Sequence, residues 1–199
     1  MTVVIGLTGS IATGKSTVSK MLKELGLPIV DADQISRDVV EPGEVAYQKI
    51  VKTFGKEILF EDETINRKQL GSIVFGNEEK RKQLNEIVHP EVRRQMLSQR
   101  DQYIQQGYRG VVLDIPLLFE SKLTHFVDKI VVVYVNEETQ LERLMNRDQS
   151  TKEEASQRIN SQIPVEEKAA MADAVINNNG TRSETKEQLL ELLQKWEII

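Results

Sequence analysis

The residues with the clearest chemical potential form one run near the start of the chain, Gly9-Ser10-Ile11-Ala12-Thr13-Gly14-Lys15-Ser16. The run matches the phosphate-binding pattern G-x-x-x-x-G-K-[ST], in which backbone N–H groups surround a phosphate. The lysine of such a loop contacts the β- and γ-phosphates, and the serine hydroxyl joins the ligand shell of Mg²⁺. The run therefore predicts a nucleoside triphosphate site. The alternative is a glycine-rich turn without a ligand.

The segments on either side of this loop favour a phosphate site. The apolar run Val3–Leu7 is typical of a short buried strand. After the loop, apolar residues recur at helical spacing, and Gly26 stands where that helix would end. These apolar residues are Val18, Met21, Leu22 and Leu25. A strand, a loop and a helix in this order direct backbone N–H groups and the positive end of the helix dipole at one point, which suits a phosphate.

Two carboxylates, Asp31 and Asp33, follow the apolar segment Pro28–Val30. If the strand continues through them, its period of two places both side chains on one side, at the carboxyl edge of a sheet. Either carboxylate could accept the proton of an attacking hydroxyl group or help to hold Mg²⁺. The alternative is a pair of loop or helix-capping carboxylates.

Three further charged residues stand where phosphoryl transfer could use them. Asp114 ends an apolar strand, the position of an acid that contacts Mg²⁺ in phosphate-loop proteins. Arg143 and Arg147 are one helical turn apart, so both can face a transferring phosphoryl group. The alternative is that both arginines simply face solvent, as charged residues on helices usually do.

The composition describes one globular α/β protein. A chain of 199 residues suffices for one such core plus an insertion, and 39% hydrophobic and 29% charged residues are typical values. The net charge of −5 argues against a nucleic-acid partner. The absence of cysteine excludes disulfides and fits a reducing, cytoplasmic compartment. No apolar run approaches the roughly 20 residues that span a bilayer, so we expect no membrane interaction.

Five short apolar segments predict a parallel sheet that is covered on both faces, because they lack the alternation of a half-solvated strand. Helical segments separate most of them, so the predicted fold class is α/β. We expect three layers with a doubly wound sheet and sites at the carboxyl ends of its strands. The predicted strands are Val3–Leu7, Pro28–Val30, Gly110–Ile115, Lys129–Val135 and Ala174–Ile176.

The long interval between the second and third strands contains helical patterns and no convincing strand. Helices are predicted over residues 44–54, 77–89 and 90–107. Pro90 suits the first turn of the third helix, where its missing N–H has no intrahelical partner to lose. We interpret the interval as a subdomain for substrate recognition. Helical packing without substrate contact is the alternative.

The last third of the chain contains three helix signals. Asn136 is a predicted N-cap, and Thr151–Glu154 is a predicted capping box. An apolar stripe predicts a C-terminal helix over residues 184–196 that packs on the core. The break at Gln149-Ser150, between the first two of these helices, is predicted to be the tip of a mobile flap.

Together these segments resemble one family, dephospho-CoA kinase, and the matching runs cover nearly the whole chain. The phosphate loop occurs in many nucleotide-binding families, whereas the other runs are selective at this order and spacing. They are Val30-Asp31-Ala32-Asp33 with Arg37, Leu84-Asn85-Glu86-Ile87-Val88-His89-Pro90, Pro116-Leu117-Leu118-Phe119-Glu120, Gln140–Asp148, Arg158-Ile159 with Gln162, and Ala172–Asn178.

The resemblance implies a P-loop kinase fold with a five-stranded parallel sheet, a helical substrate-binding insertion and a small helical lid. We expect the nucleotide-binding core to comprise residues 1–35, 108–138 and 170–199. The insertion that binds coenzyme A would span 36–107, and the lid 139–169. The implied reaction is phosphorylation of the ribose 3′-hydroxyl of dephospho-CoA by ATP with Mg²⁺, the last step of CoA synthesis.

The resemblance also implies roles for single residues. Asp33 matches the acid proposed as base for the ribose hydroxyl, and Arg143 matches a lid arginine proposed to stabilise the transferring phosphoryl group. With Lys15 they form the predicted catalytic set. The predicted ATP contacts are Gly9, Ala12, Thr13, Gly14, Lys15, Ser16, Thr17 and Arg147. The predicted dephospho-CoA contacts are Thr8, Asp33, Arg37, His89 and Arg93, and the predicted metal ligands are Ser16 and Asp114.

Two of these positions leave an alternative open. His89 precedes Pro90, and a structural histidine is the usual interpretation of such a residue in isolation. Ala12 stands where the family usually has glycine. If that position requires a positive φ, alanine is strained there, although the loop could also use an ordinary backbone angle.

Two other functions are consistent with a phosphate loop. Another nucleoside or nucleotide kinase of the same fold would not need the helical insertion with its His-Pro pair. A regulatory module that switches with GTP or depends on ATP is the other. A GTPase should contain Asn-Lys-x-Asp for guanine and Asp-x-x-Gly after the third strand. The chain has Asn177-Asn178-Asn179-Gly180 and Asp114-Ile115-Pro116-Leu117 at those places, so both GTPase patterns fail. The sequence carries no signal for an oligomeric state.

Overall fold

The computed structural model describes residues 2–199 and contains a five-stranded parallel sheet. The strands are β1 (Val3–Gly9), β2 (Ile29–Asp31), β3 (Gly110–Asp114), β4 (Lys129–Tyr134) and β5 (Ala174–Asn177). Their order across the sheet is β2-β3-β1-β4-β5, in which β1 lies at the centre and pairs in parallel with both β3 and β4, and β4 pairs in parallel with β5. The five predicted strands are confirmed, with ends that differ by one or two residues.

Helices connect the strands, which confirms the α/β class. They are α1 (Lys15–Glu24), α2 (Ala32–Asp38), α3 (Val45–Phe54), α4 (Arg67–Val74), α5 (Glu78–Gln105), α6 (Glu137–Asp148), α7 (Lys152–Asn160), α8 (Val165–Ala170) and α9 (Arg182–Lys195). The predicted caps are present: the Asn136 side chain accepts a hydrogen bond from the Thr139 N–H, and Thr151 forms a capping box with Glu154. Over residues 2–199, no helix combines the length and apolarity that a bilayer span requires.

The chain divides into two compact units, each with its own core. Unit 1 comprises the residues up to Val30 together with Arg100–Ile199, and unit 2 comprises Asp31–Gln99. The core of unit 1 lies on the sheet and includes Leu7, Val18, Val112 and Ile176 among others, with Trp196 of the segment after α9 packed against it. The core of unit 2 is formed by Ile50, Phe54, Ile58 and Leu70.

Helix α5 corrects the prediction at Pro90. The structure contains one helix over Glu78–Gln105 with Pro90 inside it, so the predicted boundary between 77–89 and 90–107 is wrong. An interior proline costs about 3 kcal/mol because it removes one hydrogen bond and crowds the preceding turn. Leu84, Ile87 and Val88 pack against the core of unit 2. This burial holds the turn before Pro90 in helical form and offsets the cost.

Candidate active site

The phosphate-loop run connects the central strand to the first helix. Strand β1 ends at Gly9, and α1 begins at Lys15 with Gly14 as its N-cap. Inside the loop, the buried Thr13 side chain donates a 2.9 Å hydrogen bond to the Ser10 carbonyl, and the Thr13 N–H donates to the same oxygen at 3.2 Å. These bonds close the loop into a turn.

The N-terminus of α1 offers unpaired donors. Over residues 2–199, no acceptor takes the backbone N–H groups of Gly14, Lys15 or Ser16, whereas Thr17 and Val18 donate to the Gly14 carbonyl. Gly14 has a φ of 88°, and a Cβ there would collide with the Asn178 side-chain amide. Free N–H groups at the positive end of a helix dipole form an anion site. The geometry is therefore suited to a phosphate.

Ala12 has a φ of 61°, so the loop does use the left-handed conformation at this position. A residue with a Cβ is disfavoured there by roughly 1–2 kcal/mol relative to the right-handed region, whereas glycine is not. The open alternative of an ordinary backbone angle is thereby excluded. Ala12 is a strained residue in the candidate site.

Replacing Ala12 with glycine is therefore expected to stabilise the protein by about 0.5–1 kcal/mol, because relief of strain exceeds the added entropy of the unfolded chain. Urea unfolding followed by circular dichroism measures the change. Ala169→Gly in α8 is a matched control that lies in a helix, and it should destabilise by about 0.5–1 kcal/mol. If Ala12→Gly and Ala169→Gly lowered the free energy of unfolding equally, Ala12 would not be strained.

Lys15 and Asp114 form an ion pair between the start of α1 and the end of β3. The Asp114 residue is buried, at 4% exposure, and the Lys15 side chain is 18% exposed. Each residue stands out separately in the sequence, and the structure brings the two together. The ion pair links the ammonium group of the residue that begins α1 to the carboxyl end of β3.

The structure offers Mg²⁺ few protein ligands. Among residues 2–199, no three His, Asp or Glu side chains cluster as a metal site. Mg²⁺ usually keeps several waters and binds through one or two protein groups together with substrate phosphates. Ser16, exposed at the start of α1, and Asp114, at the end of β3, supply oxygen donors of this kind. This donor set fits a Mg²⁺ ion that binds together with a nucleotide.

Arg143 lies beside the loop and Arg147 does not. The Arg143 guanidinium donates a 3.0 Å hydrogen bond to the Asn178 carbonyl, and its Nη1 would lie 3.8 Å from a Cβ on Gly14. The exposed Arg147 instead pairs with Asp148, which also binds Arg158. Hydrogen bonds from these two arginines lower the pKa of Asp148 to about 2. The two predicted lid arginines therefore have different partners in this structure.

Within unit 2, α2 begins at Ala32, directly after β2 ends at Asp31. The strand does not continue through Asp33, so the condition under which period-two geometry would align Asp31 with Asp33 is not met. Asp31 is the N-cap and accepts a 3.0 Å hydrogen bond from the Gln34 N–H. The exposed Asp33 carboxylate has no hydrogen bond or ion pair with any residue in the described part of the chain. Asp31 is thus engaged in capping, and Asp33 remains available.

The other residues of unit 2 that are predicted to contact dephospho-CoA are also exposed. Arg37 lies one helical turn after Asp33 on α2. His89 and Arg93 line an open groove of about 540 Å³ along α5, which Arg81 and Lys82 also line. Partial desolvation, and secondarily the positive charge of Arg93, lower the pKa of His89, so its imidazole is neutral near pH 7. The groove therefore presents three cationic side chains and a neutral imidazole, together with the carboxylates of Glu78 and Glu86.

Thr8, predicted to contact the acceptor, is buried, and its hydroxyl donates a 2.9 Å hydrogen bond to the Pro116 carbonyl. This contact ties the end of β1 to the segment after β3. The role of Thr8 toward a substrate stays a prediction.

Several side chains that contact the loop received no role in the sequence analysis. Asn178 donates to the Thr13 carbonyl at 2.8 Å, and Gln140 donates to the Ile11 carbonyl at 2.8 Å. Lys168 is buried in α8, at a spacing of three from the buried Val165. That helical spacing is a usable signal for Lys168, because residues three apart share a face. The contacts of Asn178 and Gln140 have no comparable signal in the sequence.

Comparisons with known proteins agree over almost the entire chain. A family model described as dephospho-CoA kinase matches residues 3–184. A dephospho-CoA kinase of Bacillus anthracis is 61% identical over 199 residues, which is 100% of both chains. Two solved structures cover 98% of this chain and are covered to 97% of their own length. They are a Thermus thermophilus protein at 31% identity and TM-score 0.82, and a Campylobacter jejuni dephospho-CoA kinase at 33% identity and TM-score 0.75.

Proposed function

The chain belongs to the dephospho-CoA kinase family, and we propose that it transfers the γ-phosphoryl group of ATP to the ribose 3′-hydroxyl of dephospho-CoA. The products are CoA and ADP, and the reaction is the last step of CoA synthesis. The protein is a phosphotransferase with a P-loop kinase fold. The observation that carries the transfer chemistry is the set of N–H groups at Gly14–Ser16 that have no acceptor among residues 2–199, at the end of a helix whose first residue is Lys15.

On the donor side, the loop from Gly9 to Thr17 holds the ATP phosphates. The unpaired N–H groups bind oxygens of the β-phosphate, and Lys15 leaves Asp114 to contact the β- and γ-phosphates. Arg147 exchanges Asp148 for the nucleotide. Ser16 and Asp114 would hold Mg²⁺, which when bound with ATP neutralises charge on the phosphate oxygens.

On the acceptor side, Asp33 receives the proton of the ribose hydroxyl. As the hydroxyl oxygen forms its bond to the γ-phosphorus, the bond from that phosphorus to the β,γ-bridging oxygen breaks and ADP departs with the electron pair. The Asp33 carboxylate has no partner among residues 2–199, so it can orient the hydroxyl and take its proton late. Arg143, already beside the loop, stabilises the charge on the transferring group.

Charge complementarity supports the binding site of the acceptor. Dephospho-CoA carries a diphosphate, and Arg37, Arg93 and His89 supply cationic and hydrogen-bonding groups on α2 and α5. Thr8 completes the set of residues that we propose to contact dephospho-CoA. We also propose the three predicted regions: a nucleotide-binding core, an insertion over residues 36–107 that binds the acceptor, and a lid over residues 139–169. A cytoplasmic location is part of the same proposal.

Replacing Arg143 with alanine is expected to lower kcat about 100-fold and to leave the Kd of dephospho-CoA within about twofold, because the contact strengthens as the phosphoryl group transfers. Steady-state kinetics and calorimetry separate the two effects. Arg182→Ala, at an exposed arginine that begins α9, is the matched control and should retain full activity. A normal kcat with a raised KM in Arg143→Ala would assign Arg143 to ground-state binding.

The experiment that tests the function offers ATP·Mg²⁺ and one acceptor at a time, with ADP release as the readout. Dephospho-CoA, pantetheine phosphate and AMP are compared, and NMR locates the new phosphate monoester. We expect turnover only with dephospho-CoA and phosphate only at the ribose 3′-oxygen. Preferential phosphorylation of AMP would favour the other candidate, a nucleotide kinase of the same fold, and ATP binding without any acceptor would favour a regulatory module.

A further inference from the structure

Lys168 is a buried cation that the mechanism above does not use. It lies on α8 and is 0% exposed. Its ammonium group donates a 3.0 Å hydrogen bond to the Gly9 carbonyl and contacts the Glu120 carboxylate at 2.7 Å. Gly9 is the residue at which the chain leaves β1 and enters the phosphate loop. A charged side chain is thus fixed at the entrance of that loop.

The partner of Lys168 is itself incompletely satisfied. Glu120 Oε1 binds Lys168 and accepts a 3.2 Å hydrogen bond from the Ile163 N–H. Its other oxygen, Oε2, is buried and has no hydrogen-bond partner among residues 2–199. The Lys168 side chain is fully buried, whereas the Glu120 side chain is 21% exposed. Desolvation of the ammonium group offsets the attraction, so the ion pair contributes little to stability. Fold stability alone therefore does not account for this arrangement.

The segment before α8 contacts the next two residues of the loop. The Ser10 hydroxyl donates a 3.2 Å hydrogen bond to the Ile163 carbonyl, and the Ile11 N–H donates to Gln162 Oε1 at 2.9 Å. With Lys168 on Gly9, three consecutive loop residues are each held by one residue of this segment. We call Gln162, Ile163 and Lys168 the loop brace.

We propose that Lys168 is a positioning residue for the phosphate loop, acting through the Gly9 carbonyl and anchored by Glu120. Peptide units are planar, so fixing the Gly9 carbonyl fixes the direction in which the loop departs from β1. The remaining contacts of the brace orient Ser10 and Ile11. Phosphate binding depends on N–H groups that are aligned before the ligand arrives. The role of Lys168 rests on the proposed function only where kcat is measured, because nucleotide binding is measured without an acceptor.

The test replaces Lys168 with methionine, alone and together with Glu120→Gln. The double variant leaves no buried unpaired charge, and the carboxamide oxygen introduced by Glu120→Gln can still accept from the Ile163 N–H. The double variant should therefore unfold at a urea concentration close to that of the wild type. Binding of a non-hydrolysable ATP analogue is measured by calorimetry without acceptor. Lys152→Met, at an exposed lysine of α7, is the control and should bind and turn over normally.

We expect both Lys168→Met variants to bind the analogue about tenfold more weakly and to lose about 10- to 100-fold in kcat, while the Kd of dephospho-CoA is unchanged. The double variant should recover stability and not affinity. Wild-type affinity in the folded single variant, or recovery of affinity together with stability in the double variant, would overturn the proposal and leave Lys168 a structural residue. Failure of the wild type to phosphorylate dephospho-CoA would reject the proposed function without altering the binding result.

Discussion

Replacing Lys15 with methionine is expected to lower kcat for ADP formation by about three orders of magnitude. Methionine keeps the aliphatic stem and removes the cation that neutralises the β- and γ-phosphates. The substitution also leaves Asp114, which is 4% exposed, without its ion pair, so we expect some loss of stability as well. Turnover should therefore be measured at a temperature at which circular dichroism shows the variant to be folded.

The control for Lys15 is Lys20→Met, at an exposed lysine on the same helix, which should keep wild-type turnover. A second variant, Lys15→Met with Asp114→Asn, removes both charges and should recover stability without recovering activity. A folded Lys15→Met variant that retains more than about a tenth of wild-type turnover would be inconsistent with the assigned role.

Asp33→Asn is expected to lower kcat by roughly two to four orders of magnitude, with little change in ATP binding. The substitution is nearly isosteric, but it removes the negative charge and with it the capacity to accept a proton. The transition state of phosphoryl transfer is loose, so part of the effect comes from orienting the hydroxyl rather than from basicity. The assay is kcat over a Mg²⁺ titration, because a carboxylate that mainly holds the metal should be partly rescued by excess Mg²⁺.

Asp31→Asn is the matched control for this experiment. Asp31 caps α2 through the Gln34 N–H, and asparagine caps helices about as well as aspartate, so stability and activity should persist. Rescue of Asp33→Asn by metal would replace the base assignment with a metal ligand. If Asp31→Asn loses activity and Asp33→Asn retains it, the two carboxylates exchange roles.

The sheet was predictable because its strands are short apolar runs that end at polar or glycine residues, which leaves little ambiguity in type or place. The continuity of helix α5 through Pro90 was not predictable. Proline prefers the first turn of a helix, but burial of the apolar residues before Pro90 outweighs this local preference. The sequence raises the conformation of Ala12 as a question, and only the backbone angle answers it.

The candidate site was predictable residue by residue and not as a set of contacts. Lys15 and Asp114 each stand out in the sequence, but they are 99 positions apart and no sequence pattern pairs them. Only the spacing of three from Val165 indicates that Lys168 is buried, because a lysine among glutamates and alanines is otherwise typical of a solvated helix. Its Gly9 partner lies 159 positions away and has no signal in the sequence. Contacts between distant segments depend on the fold, which local patterns do not encode.

Trp196 has a spectroscopic consequence. It is the one tryptophan in the sequence, and it packs against the core of unit 1, whereas residues 31–99 contain none. Selectively excited indole emission therefore follows the unfolding of unit 1 and does not detect unit 2 directly, while far-ultraviolet dichroism detects the helices of both. Coincident denaturation curves from the two signals would mean that the units unfold cooperatively, and separated curves would give each unit its own free energy of unfolding.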